Sequence, residues 1–339
     1  MAFRRSFVSM SALAVVVGLM SLSLVAFAQD KGKQQPKLSR DEQRRAEAMY
    51  QLVDNVNAGK VPAPADVTLT WSNHFLLGSE GRTYVPYTID IEPGKFTSFP
   101  VIMYVRLVDR NAPPPAKDAK EPPVFAWFDG YFFNEPKDGR ISRLLEARPG
   151  DYDLYIAMQE NPSKNVKQPQ TVLMKRQLRI PDFAKDLSAS DVIFTENIEP
   201  SPKQLNPTEQ MAEPYTLGGM KLTPSRTVDF KKSGVLAFLV IVYNSGATAD
   251  KPDVVAEYNF YQKLEAGEKF FNRTSPQEIN AQTLPPGFSV AAGHQVVASP
   301  GEIPLGSFPE GPYRLEIKVT DKTNNKVITQ NAEFRVTAG

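Results

Sequence analysis

The sequence contains no cysteine. Disulfides, thiolate zinc sites, cysteine nucleophiles and anchors built on a lipidated cysteine are therefore excluded. Histidine is almost as scarce. His74 and His294 stand far apart, and no paired-ligand spacing exists. A serine triad or a histidine metal site would need one lone histidine and distant partners. Each histidine is read as a surface or strand-end residue. Neither charge dominates, with 39 Lys and Arg against 38 Asp and Glu. Without the leader described next, which holds Arg4 and Arg5 and no acid, the balance is 37 − 38 = −1. That argues against nucleic-acid binding, and no basic run marks an anionic membrane patch. No Gly-rich phosphate loop occurs, Gly218-Gly219 being read as a turn, and no cofactor is expected.

Apolar runs long enough to suggest a membrane span are also lacking, apart from one at the start. Arg4-Arg5 precedes the mostly apolar stretch Ser11 to Val25, which ends in Ala26-Phe27-Ala28. This pattern reads as a secretory signal peptide over 1–28, cleaved after Ala28. The alternative is an uncleaved anchor, and Arg4-Arg5 leaves ordinary secretion and twin-arginine export both open. The expected address is periplasmic or secreted, with no integral membrane segment once the leader is removed. A secreted chain without disulfides suits a bacterial envelope, where domains of this size are held by their cores.

What the chain does have is proline, 29 residues of it, and alternation. In Gly311-Pro312-Tyr313-Arg314-Leu315-Glu316-Ile317-Lys318-Val319, the apolar residues point one way and the charged ones the other. Gly150-Asp151-Tyr152-Asp153-Leu154-Tyr155-Ile156 echoes it. Gly-x-Tyr-x-Leu matches the start of strand F in immunoglobulin-like sandwiches, where a tyrosine hydroxyl bonds back to upstream backbone. Gly150, Tyr152, Gly311 and Tyr313 are thus expected to form two structural tyrosine corners. The fold class is all-β: two tandem immunoglobulin-like β-sandwich domains after a signal peptide and one short amphipathic helix.

The boundaries follow. Residues 29–64 are a polar segment and a helix over about Arg40 to Ala58, opened by the capping box Ser39-Arg40-Asp41-Glu42. Its stripe of Met49, Tyr50, Val53 and Val56 is expected on the first sandwich or on a partner. Domain one covers 65–198, with strands at Val67–Trp71, Tyr84–Ile91, Phe99–Leu107, Val124–Phe133, Asp151–Met158, Val172–Ile180 and a last edge at Asp191–Thr195. Asn111 to Pro123 reads as a surface loop. A linker is expected over 199–214. Domain two covers 215–339, with Leu217–Leu222, Val235–Tyr243, Val254–Tyr261, Lys269–Arg273, Gln295–Ala298, Tyr313–Val319 and Val327–Val336 as strands. Leu236 to Val242 is apolar on both faces and should be covered on both.

Pro214-Tyr215-Thr216-Leu217-Gly218-Gly219, Leu222-Thr223-Pro224-Ser225, Leu236 to Asn244 and Gly311 to Asp321 together resemble the β-rich repeats of secreted acidobacterial proteins. Those repeats accompany GWxTD and von Willebrand factor A-related domains. Ile180-Pro181-Asp182-Phe183 with Leu187-Ser188 resembles the close of a first repeat. The Gly-Trp-x-Thr-Asp signature is absent. The resemblance implies an exported sandwich protein more than an activity.

Two stretches suggest chemistry. Asp186-Leu187-Ser188-Ala189-Ser190 spells the metal-site signature D-x-S-x-S, but no apolar parallel strand precedes it, so no metal is expected. Phe125 to Phe133 is the most aromatic window; Trp127, Tyr131 and Phe133 would share a face if the strand is regular through Gly130. That face is either packed core or a platform for sugar rings. The carboxylates Asp129, Glu135 and Glu146 are scattered, and Asn272-Arg273-Thr274 is a glycosylation sequon. The expected function is a non-catalytic interaction or structural module of the bacterial envelope, whose partner is an unknown envelope protein or a glycan. The alternatives are a carbohydrate-binding module using the aromatic window, and an enzyme with a dispersed site.

Overall fold

Alternation and its interruptions decide where this chain is sheet and where it is not. The computed structural model describes residues 38–112, 125–136, 138–164, 166–201, 205–217 and 219–339. The stretch 1–28 read as a leader, with its expected cleavage point, and the 113–123 part of the proline-rich loop lie outside the described residues.

In chain order the elements are α1 (Arg40–Asn57), β1 (Leu69–Asn73), β2 (Leu76–Leu77), β3 (Thr83–Ile91), β4 (Val101–Asp109), β5 (Trp127–Phe133), β6 (Arg140–Ala147), β7 (Gly150–Gln159), β8 (Thr171–Ile180), β9 (Ser188–Ala189) and β10 (Ile193–Pro200). The second half continues with α2 (Pro207–Ala212), β11 (Thr216–Leu217), β12 (Met220–Pro224), β13 (Asp229–Lys231), β14 (Val235–Leu236), β15 (Phe238–Tyr243), β16 (Ala247–Thr248), β17 (Lys251–Pro252), β18 (Val254–Leu264) and β19 (Gly267–Arg273). It closes with β20 (Gln277–Ile279), β21 (Val296–Ala298), β22 (Ile303–Pro304), β23 (Gly311–Asp321) and β24 (Lys326–Thr337). Among the described residues no helix is long and apolar enough to cross a membrane.

The chain forms two units. The first holds residues up to Ser72, Thr88–Ser142 and Gly150–Ile180; the second holds Asn73–Tyr87, Arg143–Pro149 and Pro181–Gly339. The stretch read as a linker carries the end of β10 and the helix α2, whose capping box pairs Asn206 with Glu209 around a proline in the first turn. β6 was not expected; the spacing of Ile141, Leu144, Leu145 and Ala147 does not alternate.

Each unit repeats one sheet. In the first the order is β5-β4-β7-β8, and in the second β19-β18-β23-β24, with β13 added in parallel beyond β24. Every other neighbour in these two sheets is antiparallel. The two Gly-x-Tyr strands, β7 and β23, therefore hold the same place in their sheets. The all-β architecture of two tandem immunoglobulin-like sandwiches rests on this shared order.

β4 and β15 are buried on both faces, and each recruits an extra layer. In β15, Phe238, Val240 and Val242 join the sandwich core with Val254, Tyr258, Leu315 and Phe334. Leu239, Ile241 and Tyr243 face the other way, under Leu76, Phe183, Tyr215 and Leu222. In β4, the residues Val101 to Leu107 are all buried. Its Ile102 and Tyr104, with Tyr155, Ala157 and Leu173 of β7 and β8, lie under Ala46, Met49 and Val53 of α1. The helix thus packs in cis on the first sandwich.

Its docking is fixed by two buried guanidinium groups. Arg106 is 0 % exposed. Its cation lies 4.3 Å from the Tyr50 ring and 4.0 Å from the Phe125 ring. Nε donates to the Tyr104 hydroxyl at 2.9 Å, and the group pairs with Asp54 of α1. Arg45, on the helix, donates to Asn161 Oδ1 at 3.0 Å and Pro100 O at 2.9 Å, and covers the Phe132 ring at 5.1 Å. Taking a cation out of water costs several kcal/mol, so each is tolerated through these bonds and ring faces. Met49→Ala should remove about 2–4 kcal/mol of unfolding free energy in denaturant titration. It should also expose the Gly59–Pro64 connection to proteolysis; unchanged stability would remove the helix from the core of the first unit.

Candidate functional site

Side-chain contacts to loop backbone gather at the ends of the two tyrosine strands. At the start of β23, the Tyr313 hydroxyl donates to Pro309 O at 2.8 Å, which is the geometry of a tyrosine corner. Gly311 has φ +133°, a conformation that favours glycine. At the start of β7 the Tyr152 ring folds back over Gly150, so close that a Cβ there would meet the ring and hydroxyl at 3.2 Å. Both tyrosines are buried, and they sit opposite Leu178 and Phe334 in the register of the following strand.

At the other end lies a device that sequence reasoning missed. Eight positions after each tyrosine stands a buried carboxylate, Glu160 (2 % exposed) and Asp321 (0 % exposed). Glu160 accepts from Thr97 N at 2.8 Å, Ser98 N at 3.2 Å, the Thr97 hydroxyl at 3.1 Å and, through its other oxygen, Gln170 N at 2.9 Å. Asp321 accepts from Gly246 N at 2.8 Å, Thr323 N at 3.0 Å and Asn324 N at 3.3 Å. Glu160 ties the loop before β4 to the connection after β7, and Asp321 ties the loop between β15 and β16 to the turn after β23. Aligning the two Gly-x-Tyr strands would have exposed the pair. Burial alone would push the Glu160 carboxyl up, but the bonds from Gln170, Thr97 and Ser98 outweigh it and hold the pKa below its ordinary value.

The aromatic window is not a flat platform. β5 runs regularly from Leu107↔Trp127 to Val101↔Phe133 against β4, so Trp127, Tyr131 and Phe133 do share a face. That face is the inward one, opposite Met103 and Val101, and Trp127 is only 4 % exposed. Tyr131 and Phe133 are half-buried. On the other face Phe125 stacks on Arg106, while Phe128 and Phe132 pack with the helix cluster.

The remaining candidates do not converge. Asp186 pairs with Lys326 at 3.5 Å at the surface. Ser190 is buried, and its hydroxyl is committed to Asp191 O and Ile241 N at 2.8 and 2.9 Å. Among the described residues no group of three or more histidines and acids could hold a metal. Asp250, Ser289 and His294 do meet. Ser289 Oγ is 3.3 Å from Asp250 Oδ2, and His294 Nδ1 accepts from the Ser289 backbone N–H at 3.0 Å. A triad needs the imidazole to face the hydroxyl; here it faces backbone and closes a turn. His74 lies 2.9 Å from the Tyr215 hydroxyl. Asp129 sits in β5, and Glu146 in β6.

No family model and no curated protein matches the sequence. Among solved structures, the chain is similar to a Salmonella alpha-2-macroglobulin reacted with methylamine, at 11% identity and a TM-score of 0.21, covering 80% of this chain and 17% of that one. It is also similar to a trypsin-activated alpha-2-macroglobulin from Escherichia coli, at 11% identity and a TM-score of 0.22, covering 82% and 17%. The chain thus spans about one sixth of the length of those proteins. The sandwich assignment stands on the strand order and not on these distant likenesses.

Two outcomes follow from the strand ends. Tyr313→Phe should cost about 1 kcal/mol, the worth of one buried hydrogen bond, with the strand order unchanged. Glu160→Gln turns an amide toward backbone donors and should cost about 1–3 kcal/mol at neutral pH. A lowered folded pKa means that stability from the carboxylate is present above its ordinary value of 4.5 and is lost as pH falls through the lower folded value. The gap in Tm between wild type and the Gln variant should therefore hold at neutral pH and narrow in acid. A gap that widens in acid would refute the clamp.

Proposed function

We propose that this chain is a non-catalytic interaction or structural module, exported to a bacterial cell envelope and kin to the β-rich repeats of secreted acidobacterial proteins. The observation that carries the reading is the use to which its buried charges are put. Glu160 and Asp321 lock loops, and Arg45 and Arg106 fasten a helix. Loops fixed in this way on a rigid scaffold suit the presentation of a surface to a partner. In the first unit the locked turn carries the exposed residues Lys164 and Lys167. The leader over 1–28 supports export, and the partner is an envelope protein.

The test is co-purification of the tagged full chain from its native envelope, with mass spectrometry of the mature N-terminus. A mature protein starting at Gln29 and one recurrent partner, lost with Lys164→Glu/Lys167→Glu, are the expected results. Hydrolytic activity of the purified chain that disappears with one carboxylate or histidine substitution would overturn the reading. The carbohydrate alternative narrows to the half-buried rings of Tyr131 and Phe133, since Trp127 is inside. Glycan-array binding abolished by Tyr131→Ala, in place of a protein partner, would favour that alternative.

A further inference from the structure

In the second unit two ionisable side chains fasten adjacent residues of one segment, His74 through its own ring and Phe75 through Asp191. The segment Asn73–Tyr87 contains the β2–β3 pairing of Leu76 with Tyr84 and Leu77 with Thr83. Phe75, Leu76, Leu77 and Tyr84 cover one face of β15, with Tyr215 and Leu222. Phe75 is fastened twice to Asp191. Its N–H donates to Asp191 Oδ2 at 2.8 Å, and its carbonyl accepts from Asp191 N at 3.2 Å. The preceding residue, His74, sets its ring edge-on against Tyr215 at 5.6 Å and 83°. Its Nδ1 is 2.9 Å from the Tyr215 hydroxyl, which donates to Pro86 O at 3.3 Å. The acid meets a neutral backbone donor, and the base meets a neutral hydroxyl.

We propose that His74 and Asp191 form a pH-compensated latch, which keeps the Asn73–Tyr87 hairpin fastened to the second unit with near-constant strength as the surroundings acidify. The physical reason is that desolvation disfavours the charged form of each group, and the two forms carry opposite charge. Burial lowers His74 from 6.5 to about 4. Opening the hairpin releases a histidine that takes up a proton below its ordinary pKa, so this half of the latch weakens as pH falls from 6.5 toward 4. Burial raises Asp191 from 3.8 to about 6, the Phe75 N–H opposing it in part. Opening releases an acid that ionises more readily than in the closed state, so this half strengthens over nearly the same interval.

The ionisable groups around the pair are Tyr215, Tyr243 of β15 and Tyr84 of the hairpin, with Glu146, Arg82 and Glu80 facing one another nearby. Burial pushes Tyr84 and Tyr243 up, so both stay neutral in this range. Burial also raises Glu146, against Arg82, so Glu146→Gln is the control.

The experiment is hydrogen exchange at the Phe75 amide in the full mature chain, corrected for intrinsic rate, with Leu315 in the core as reference. Between about pH 7 and about pH 4.5, wild type and Glu146→Gln should keep their Phe75 protection within about threefold to fivefold. Asp191→Asn, which keeps an acceptor for the Phe75 N–H, should lose about tenfold or more on acidification. His74→Gln, which keeps a polar partner for Tyr215, should gain about tenfold or more over the same change. Variants that both stay flat, or that move in the same direction, would overturn the proposal. If a variant does not fold, ring titration by NMR in wild type decides, with His294→Gln assigning the signals. A His74 midpoint below about 5 supports the latch, and one at or above about 6 defeats it.

Discussion

A strand that is apolar on both faces sets a condition on everything around it. One face closes the sandwich, and the other must be taken out of water by something else, at a gain of about 25 cal/mol for each Å² of apolar surface covered. β4 and β15 both impose this condition. For β4 the cover is α1, and for β15 it is the hairpin from Phe75 to Tyr84 together with Phe183, Tyr215 and Leu222. The extra layers of both units are answers to this one demand. The corresponding face of β18 and β23 has no such demand. Glu257, Tyr261, Arg314, Glu316 and Lys318 lie there, neutralised by pairs such as Arg314 with Glu268 and Lys318 with Glu257.

Much of this was legible in the sequence, because period and punctuation report burial directly. The helix begins where Ser39 and Glu42 cap it and ends at Asn57, one residue before the expected Ala58. The tyrosine strands, and the two-sided burial of Leu236 to Val242, follow from alternation and its loss. What stayed hidden is what alternation does not encode. Arg45 looks like a solvent residue next to Arg44, yet it shares the stripe of Met49 and Val53 and is buried. β6 has helix-like spacing and is a strand because β3 pairs with it. Trp127 could be read either as platform or as core, and only the register against Leu107 decides for core.

The buried acids were hidden for a different reason. A Glu or Asp at a strand end is normally read as a turn residue in water. Here Glu160 and Asp321 are dry and surrounded by donors from two loops. A carboxylate satisfied by backbone N–H groups fixes the loops more tightly than a neutral acceptor would. Without cysteine, the units do with carboxylates at one end of the tyrosine strand part of what a sulfur bridge does in its middle.

The helix α1 is synthesised before any of its docking surface exists. Arg45 must wait for Asn161, 116 residues later, before its guanidinium finds that partner, and Leu173 of β8 comes later still. Throughout that interval Met49 and Val53 belong to a solitary helix of 18 residues, marginal by itself in water. The helix is therefore held by partners distant in the chain, and its apolar stripe is covered only where β4, β7 and β8 lie side by side.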